Sequence, residues 1–302
     1  MTTIKRYFAA ALGLSLGVTV WAQPMQPLAP GQIGLSLSST ATVSGKGSLK
    51  ADNVSYKDVG LSSSAWTLTQ RFGLGSGQHL ALALDYDQTD IDHNGSAQIP
   101  LPERLQSLGA SLRYFRPINQ QWMLSASAGG ASQVAGSDLL SDGWGARASG
   151  IGIYNHSRKL TLMAGVAYNS LSQDLKLLPV LGCDWRPNEQ WSFAFGFPRT
   201  GASYKINKKV TLGLAVSGGG GAFQVKNDPM PGAASRSLAD SRLQFLEVRL
   251  GFHCDWKIND TFRISGTLGQ VLYRQFKYID HDYKLKSDGT VPFASVAGTL
   301  SL

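Results

Sequence analysis

The chain has 302 residues and a formal charge of +8, yet only 16% of its residues are charged, against about a quarter in an ordinary soluble domain. Two cysteines exclude a disulfide scaffold, and 10% aromatic residues with so little charge exclude a disordered chain. Hydrophobic residues make up 43%, so small residues, 34 of them Gly, stand where the charge is missing.

Lys5 and Arg6 precede an apolar run from Phe8 to Trp21, and Val20-Trp21-Ala22 suits a signal-peptidase site. Residues 1–22 therefore read as a secretory signal. Pro24, Pro27 and Pro30 mark 23–32 as a Pro-rich N-terminal segment, and 33–302 as the folded domain. Loss of Lys5 and Arg6 lowers the charge to +6. An exported chain with scattered basic residues is not expected to bind nucleic acid. The uncharged stretch 118–137 is broken by Asn, Gln, Ser and Gly, so no helical span is expected.

Period-2 alternation then runs along the chain. Leu80, Leu82, Leu84 and Tyr86 alternate with small or acidic residues. The same pattern returns at Leu108–Tyr114, Leu160–Tyr168, Trp191–Phe197, Leu246–Trp256 and Phe262–Leu268. One face is oily and the other small, hydroxylic or charged, which is the signature of a strand with two different environments. A soluble sandwich would line its polar face with Lys, Glu and Asp, whereas the chain holds only three Glu.

The short connections repeat one design: an aromatic, a basic residue, an Asn or Pro turn, then an oily strand. The copies lie at 114–122, 154–160, 185–191, 204–210 and 256–262, with a Gly-rich variant between Phe72 and Leu80. Asn and Pro supply the turn geometry, and the aromatics sit where strands meet a membrane interface. Longer polar segments alternate with them near 44–60, 87–104, 135–143, 169–177, 226–242 and 279–289, and 198–201 forms a short one. Six short turns join twelve strands; 33–43 and 291–302 add one at each end. The expected fold is thus all-β, a transmembrane antiparallel up-and-down β-barrel of 14 strands, with 12 as the alternative count. The layout puts both termini on the short-turn, periplasmic side.

Alternation also sorts side chains. Inward positions carry Arg71, Asp85, Arg113, Arg147, Asp184, Arg186, Lys205, Glu247, Arg249, His253 and Arg263, the candidate lumen-lining set. Rings of such charge select ions, and the Arg excess favours anions. Cys183 and Cys254 occupy the same phrase on strands eight and twelve, face outward, and are expected to be unpaired. No Cys or His spacing suits a metal site. Asp90-x-Asp92 and Asp280-x-Asp282 lack the rest of a calcium loop. No catalytic set is expected around the scattered histidines, and no cofactor. Gly218–Gly221 lacks the Lys-Ser/Thr of a phosphate loop and reads as a close approach or bend near the outer end of strand eleven.

Residues 178–216 carry a family resemblance: Leu-Pro-Val-Leu-Gly-Cys-Asp-Trp-Arg-Pro-Asn-Glu-Gln-Trp, then Gly196-Phe-Pro-Arg, then Tyr204-Lys-Ile-Asn-Lys-Lys-Val-Thr-Leu-Gly. In these the chain resembles a porin-like group of uncharacterised outer-membrane β-barrel proteins of Gram-negative bacteria, a domain of unknown function. The resemblance implies location and architecture, with outer-membrane lipid and the barrel-assembly machinery as partners, but no activity. Such barrels usually end in an aromatic residue, and Leu300-Ser-Leu302 departs from that. The functional expectation is a passive porin-like channel for small polar solutes rather than an enzyme. Its alternatives are a non-conducting surface barrel that binds through its loops and, third, a lipid-modifying enzyme.

Overall fold

The computed structural model describes residues 29–302 apart from 53, 94–98, 137, 141, 173–175, 197–198 and 231–236. The expected signal sequence lies outside the described residues. Fifteen strand segments follow one another. They are β1 (Ile33–Ala51), β2 (Val54–Gly75), β3 (Gln78–His93), β4 (Arg104–Pro117), β5 (Trp122–Ala135), β6 (Trp144–Ser157), β7 (Leu160–Asn169) and β8 (Leu177–Trp185). Then come β9 (Trp191–Gly196), β10 (Arg199–Lys205), β11 (Val210–Val225), β12 (Ser241–Lys257), β13 (Phe262–Tyr278), β14 (Tyr283–Asp288) and β15 (Val291–Ser301).

Each strand pairs antiparallel with its neighbour, and β14 and β15 both pair with β13 and β1. They are two halves of one stave, so the barrel closes with fourteen staves. Closure gives each strand a hydrogen-bonded neighbour on both sides, as a membrane demands of any strand structure. Leu302 donates its N–H to Leu35 and accepts that of Leu35, so both barrel ends lie on the short-turn side.

The outward face of the lower barrel is oily and uncovered: Leu82, Leu84, Leu112, Leu162, Leu181, Leu214, Phe252 and Leu268 are all exposed. An apolar belt of that extent suits only lipid. The short turns set its lower edge. Asn119, Asn188, Asn207 and Asn259 each present Oδ1 to two backbone N–H groups, two and three residues on, at 2.7–3.0 Å. One repeated phrase therefore builds one repeated Asn turn. Aromatics at these strand ends pack side by side into a girdle: Trp122 against Tyr154 at 4.8 Å, Trp185 against Phe193 at 5.2 Å, Trp191 against Tyr204 at 5.0 Å.

The upper end differs from expectation. Segment 44–60 is largely strand rather than loop, and strand enters 87–104 and 279–289: β1 reaches Ala51, β2 starts at Val54, β3 reaches His93, and β14 occupies 283–288. The oily face inverts there. On β3, Leu82 and Leu84 face out and Asp85 and Asp87 face in. Above them Gln88 and Asp90 face out and Ile91 is buried inside. The strands have left the membrane, and the physics of a soluble core takes over.

That core fills a crown. β5 and β11 bend together and pair in parallel, Gln224 with Val134 and Val225 with Ala135, across the top of β6–β10. Nine staves thereby close a smaller ring. Leu49, Val59, Ile91, Leu105, Leu243, Phe245, Phe276, Tyr278 and Leu285 pack inside it with Ile99, Leu101 and Leu238 from the connections. Phe245 stacks on Phe276 at 4.9 Å, and the Tyr278 hydroxyl donates to the Pro100 carbonyl. Lys226 and Asp142 strap the β5 and β11 ends together at 2.7 Å. That hydrogen bond first, and the carboxylate charge second, hold the Lys226 pKa above the usual lysine range.

Candidate functional site: the lumen below the crown

Three polar clusters line the lumen. On the β2–β6 wall, Thr67 Oγ1 donates to Asp85 Oδ1 at 2.9 Å, and Arg147 Nη2 reaches Ser107 Oγ at 3.5 Å. Asp85 also feels the charges of Arg113 and Arg147, and Asp87 that of Arg147.

On the β10–β13 wall, Arg199 Nη2 lies 2.7 Å from His253 Nε2 and 3.0 Å from Nδ1, so the guanidinium rests against the ring. Ser203 Oγ is 3.4 Å from the same Nε2, and Asp255 Oδ2 is 3.8 Å from it. Ser265 donates to Asp255 at 2.5 Å. A Ser-His-Asp relay needs serine and carboxylate on opposite ring nitrogens. Here both address Nε2, and Arg199 blocks the other side, so the cluster is not an acyl-transfer relay. Gly213 makes room for the imidazole: a Cβ there would overlap His253 and the Ala202 carbonyl.

Under the crown, Glu247 is 1% exposed and receives hydrogen bonds from Arg249 and, at 2.7 Å, from Arg274 Nε. Arg274 Nη2 also donates to Ser44 at 2.7 Å, and Arg249 lies over the Phe293 ring. This triad seals the boundary between greasy crown and wet lumen.

Of the sequence candidates, Asp85, Arg113, Arg147, Glu247, Arg249 and His253 fall into these clusters. Arg71, Asp184, Arg186, Lys205 and Arg263 fall apart from them, near the lower rim. There Arg186 pairs with Asp184 at 3.3 Å, and Arg263 stands opposite Lys257 on the neighbouring strand. Four charged participants lay outside the candidate set. Asp87 and Asp255 follow the same alternation and were readable from it. Arg199 sits in what reads as a short loop but opens β10. Arg274 is the fourth, and alternation counted from Phe262 turns it outward; a register shift between Val248 and Arg249 turns it in. Cys183 and Cys254 are free and stand outward on β8 and β12, opposite Leu162 and Leu212. Asp90, Asp92, Asp280 and Asp282 each pair with a basic side chain. Among the described residues no three ligand-type side chains gather for a metal.

Fold and site together define a transmembrane β-barrel with a polar lumen and a packed crown. The chain belongs to the family described as a domain of unknown function, DUF6268, whose model matches residues 46–287. No curated protein sequence matches it. Among solved structures it is similar to an outer membrane channel of Pseudomonas putida F1, at 12% identity and a TM-score of 0.51, over 93% of this chain and 99% of that one. A Pseudomonas aeruginosa FadL homologue follows at 10% identity and 0.48, over 89% and 90%. The Pseudomonas putida toluene transporter TodX gives 11% and 0.40, over 90% of each chain. At such identities the likeness speaks for the shared barrel fold.

Proposed function

We propose that the protein is a channel of the bacterial outer membrane, with its chain ends and short turns facing the periplasm and its crown facing outward. One observation carries the reading. The lumen below the crown is open to water, since inward-facing Asp255 and Arg249 keep 36% and 28% of their side chains accessible. A barrel that served only as a scaffold would fill that space, as small barrels do. The Pseudomonas putida channel, which shares the fold, supports the same role. The packed crown argues against a free-running pore for small polar solutes, because no straight bore continues through it. The sealed crown also favours a second reading, a non-conducting barrel that displays a ligand surface outward. Outer-membrane permeability of cells expressing the chain separates the two. A panel would run from arabinose to an apolar fluorophore, N-phenyl-1-naphthylamine. Faster uptake of any member than in vector-only cells supports the channel; no acceleration across the panel would overturn it.

A further inference from the structure

The charges on the outer face of the crown are not spread evenly. On β3 and β4, Asp90 stands opposite Arg104 and meets it at 2.6 Å. Lys46 reaches Asp92 at 3.2 Å, and Arg242 reaches Asp280 at 2.9 Å. The β13–β14–β1 sector breaks this alternation of sign. Leu49, Phe276 and Leu285 face the crown core there, so their chain neighbours Lys50, Lys277, Lys284 and Lys286 face outward. Lys286 stands directly opposite Lys50 on β1, and Lys284 directly opposite Lys277 on β13. Asp288 reaches Lys50 at 2.6 Å and Asp282 reaches Lys284 at 3.4 Å, so four lysines share the patch with two aspartates.

Like charges facing each other across a ladder destabilise a sheet. Lysines do guard free sheet edges, but Lys286 has a ladder partner on each side, Gln275 and Lys50. The patch therefore has no evident use to the fold itself.

Its height is set by a repeated step. On β3 the outward face turns polar after Tyr86, whose hydroxyl donates to Gln88 at 2.7 Å. On β13 the Tyr273 hydroxyl donates to Gln275 in the same way. The climb from Phe262 at the lower turn to Tyr273 is about 25 Å at about 3.3 Å a residue and a tilt of about 40°, the height of the apolar band in such barrels. Below Tyr273 the wall is oily, with Leu268 67% and Val296 60% exposed. Lys286 shares its row with Gln275, and Lys277 and Lys284 stand one row higher, about 7 Å along the strand. Lysine stems bend toward such a surface, so the four ammoniums meet the headgroup layer.

Resting on the outward crown of the proposed function, we propose that Lys50, Lys277, Lys284 and Lys286 bind the phosphate groups of lipopolysaccharide, the glycolipid of the outer leaflet. Each ammonium meets phosphate as a point charge, and the acyl chains lie on the oily wall beneath. A free phosphate in bulk water would gain only a salt-screened attraction, whereas the membrane holds a lipid phosphate at the height of the lysines.

Calorimetric titration of the purified protein in a neutral detergent tests this. The titrants are lipopolysaccharide, the same lipopolysaccharide stripped of phosphate by hydrofluoric acid, phosphatidylglycerol and inorganic phosphate. The intact glycolipid should bind tightest. Lys50→Gln with Lys286→Gln should weaken it about tenfold or more, while Lys50→Arg with Lys286→Arg should keep the affinity. Lys208→Gln with Lys209→Gln removes the same charge from the opposite membrane surface and should change nothing. All variants should still resist SDS until heated, which shows that the barrel is intact. Equal binding of the stripped glycolipid, of phosphatidylglycerol or of inorganic phosphate overturns the proposal, as does unchanged affinity in the Gln pair. A separate arm reads the orientation. Ser55→Cys, opposite Lys50, in a Cys183→Ala, Cys254→Ala background should react with a membrane-impermeant maleimide on intact cells. Reaction only after lysis overturns the outward crown and the lipid site with it. Reaction on intact cells with unchanged affinity in the Gln pair overturns the lipid site alone.

Discussion

Glu247 shows what a single buried charge does here. Two guanidiniums converge on it, and it is almost wholly removed from solvent. Neutralising it as Glu247→Gln leaves Arg274 buried without its counter-charge. A broken buried pair costs about 3–5 kcal/mol, so urea unfolding from lipid vesicles should show a loss of that size. Replacing Glu247 and Arg274 together with Leu and Met should recover most of the loss, because the desolvation penalty goes with the charges. The Asn turns work on a smaller scale. Asn207→Ala removes two backbone-to-side-chain hydrogen bonds, each worth about 1 kcal/mol net at most. Its expected signature is a slightly lower unfolding midpoint with unchanged dye uptake.

Strands carry the second lesson, because one strand serves two solvents. On β3 the oily residues are Leu82 and Leu84 facing out, then Ile91 facing in, and the change of face marks the membrane surface between Tyr86 and Gln88. β4 changes at the matching height, with Leu108 and Leu112 outward and Leu105 buried inside. A charge at Leu82 would sit deep in hydrocarbon, where Arg costs about 2–4 kcal/mol near the midplane. Leu82→Arg should therefore lower unfolding free energy by that amount. Gln88→Arg, six residues on and beside Asp90, should cost less than about 1 kcal/mol, as a surface substitution does. Equal costs at the two positions would place the membrane surface elsewhere. The inversion was present in the sequence, but an alternating run that changes face looks like the end of a strand, and so the upper segments read as loops.

At the scale of the molecule, the crown decides what kind of channel this barrel makes. It is closed by a pair of strands about 90 residues apart in the chain and held by a core that owes nothing to lipid. Opening it should therefore be separable from breaking the barrel. Leu105 is 1% exposed in the crown core, and Leu105→Asp buries an unpaired carboxylate there. The fourteen-stave wall below keeps its ladders. In planar bilayers this variant should pass a larger steady current than the unaltered protein, while still resisting SDS until heated. A heat-labile barrel with no current would mean that crown and wall fold as one unit.

The sequence by itself determined the all-β class, the fourteen staves, the end on which the short turns lie, and the inward facing of Asp85, Arg113, Arg147, Glu247 and His253. All of these follow from period-2 alternation and a repeated turn phrase, which are local properties of a strand. Only the tertiary structure decided the rest. The β5–β11 pair, the inward swing of Arg274 past a register shift and the meeting of Arg199 with His253 depend on how the sheet closes on itself. Closure sets which distant strand ends meet and where a register must slip, and neither leaves a period in the chain.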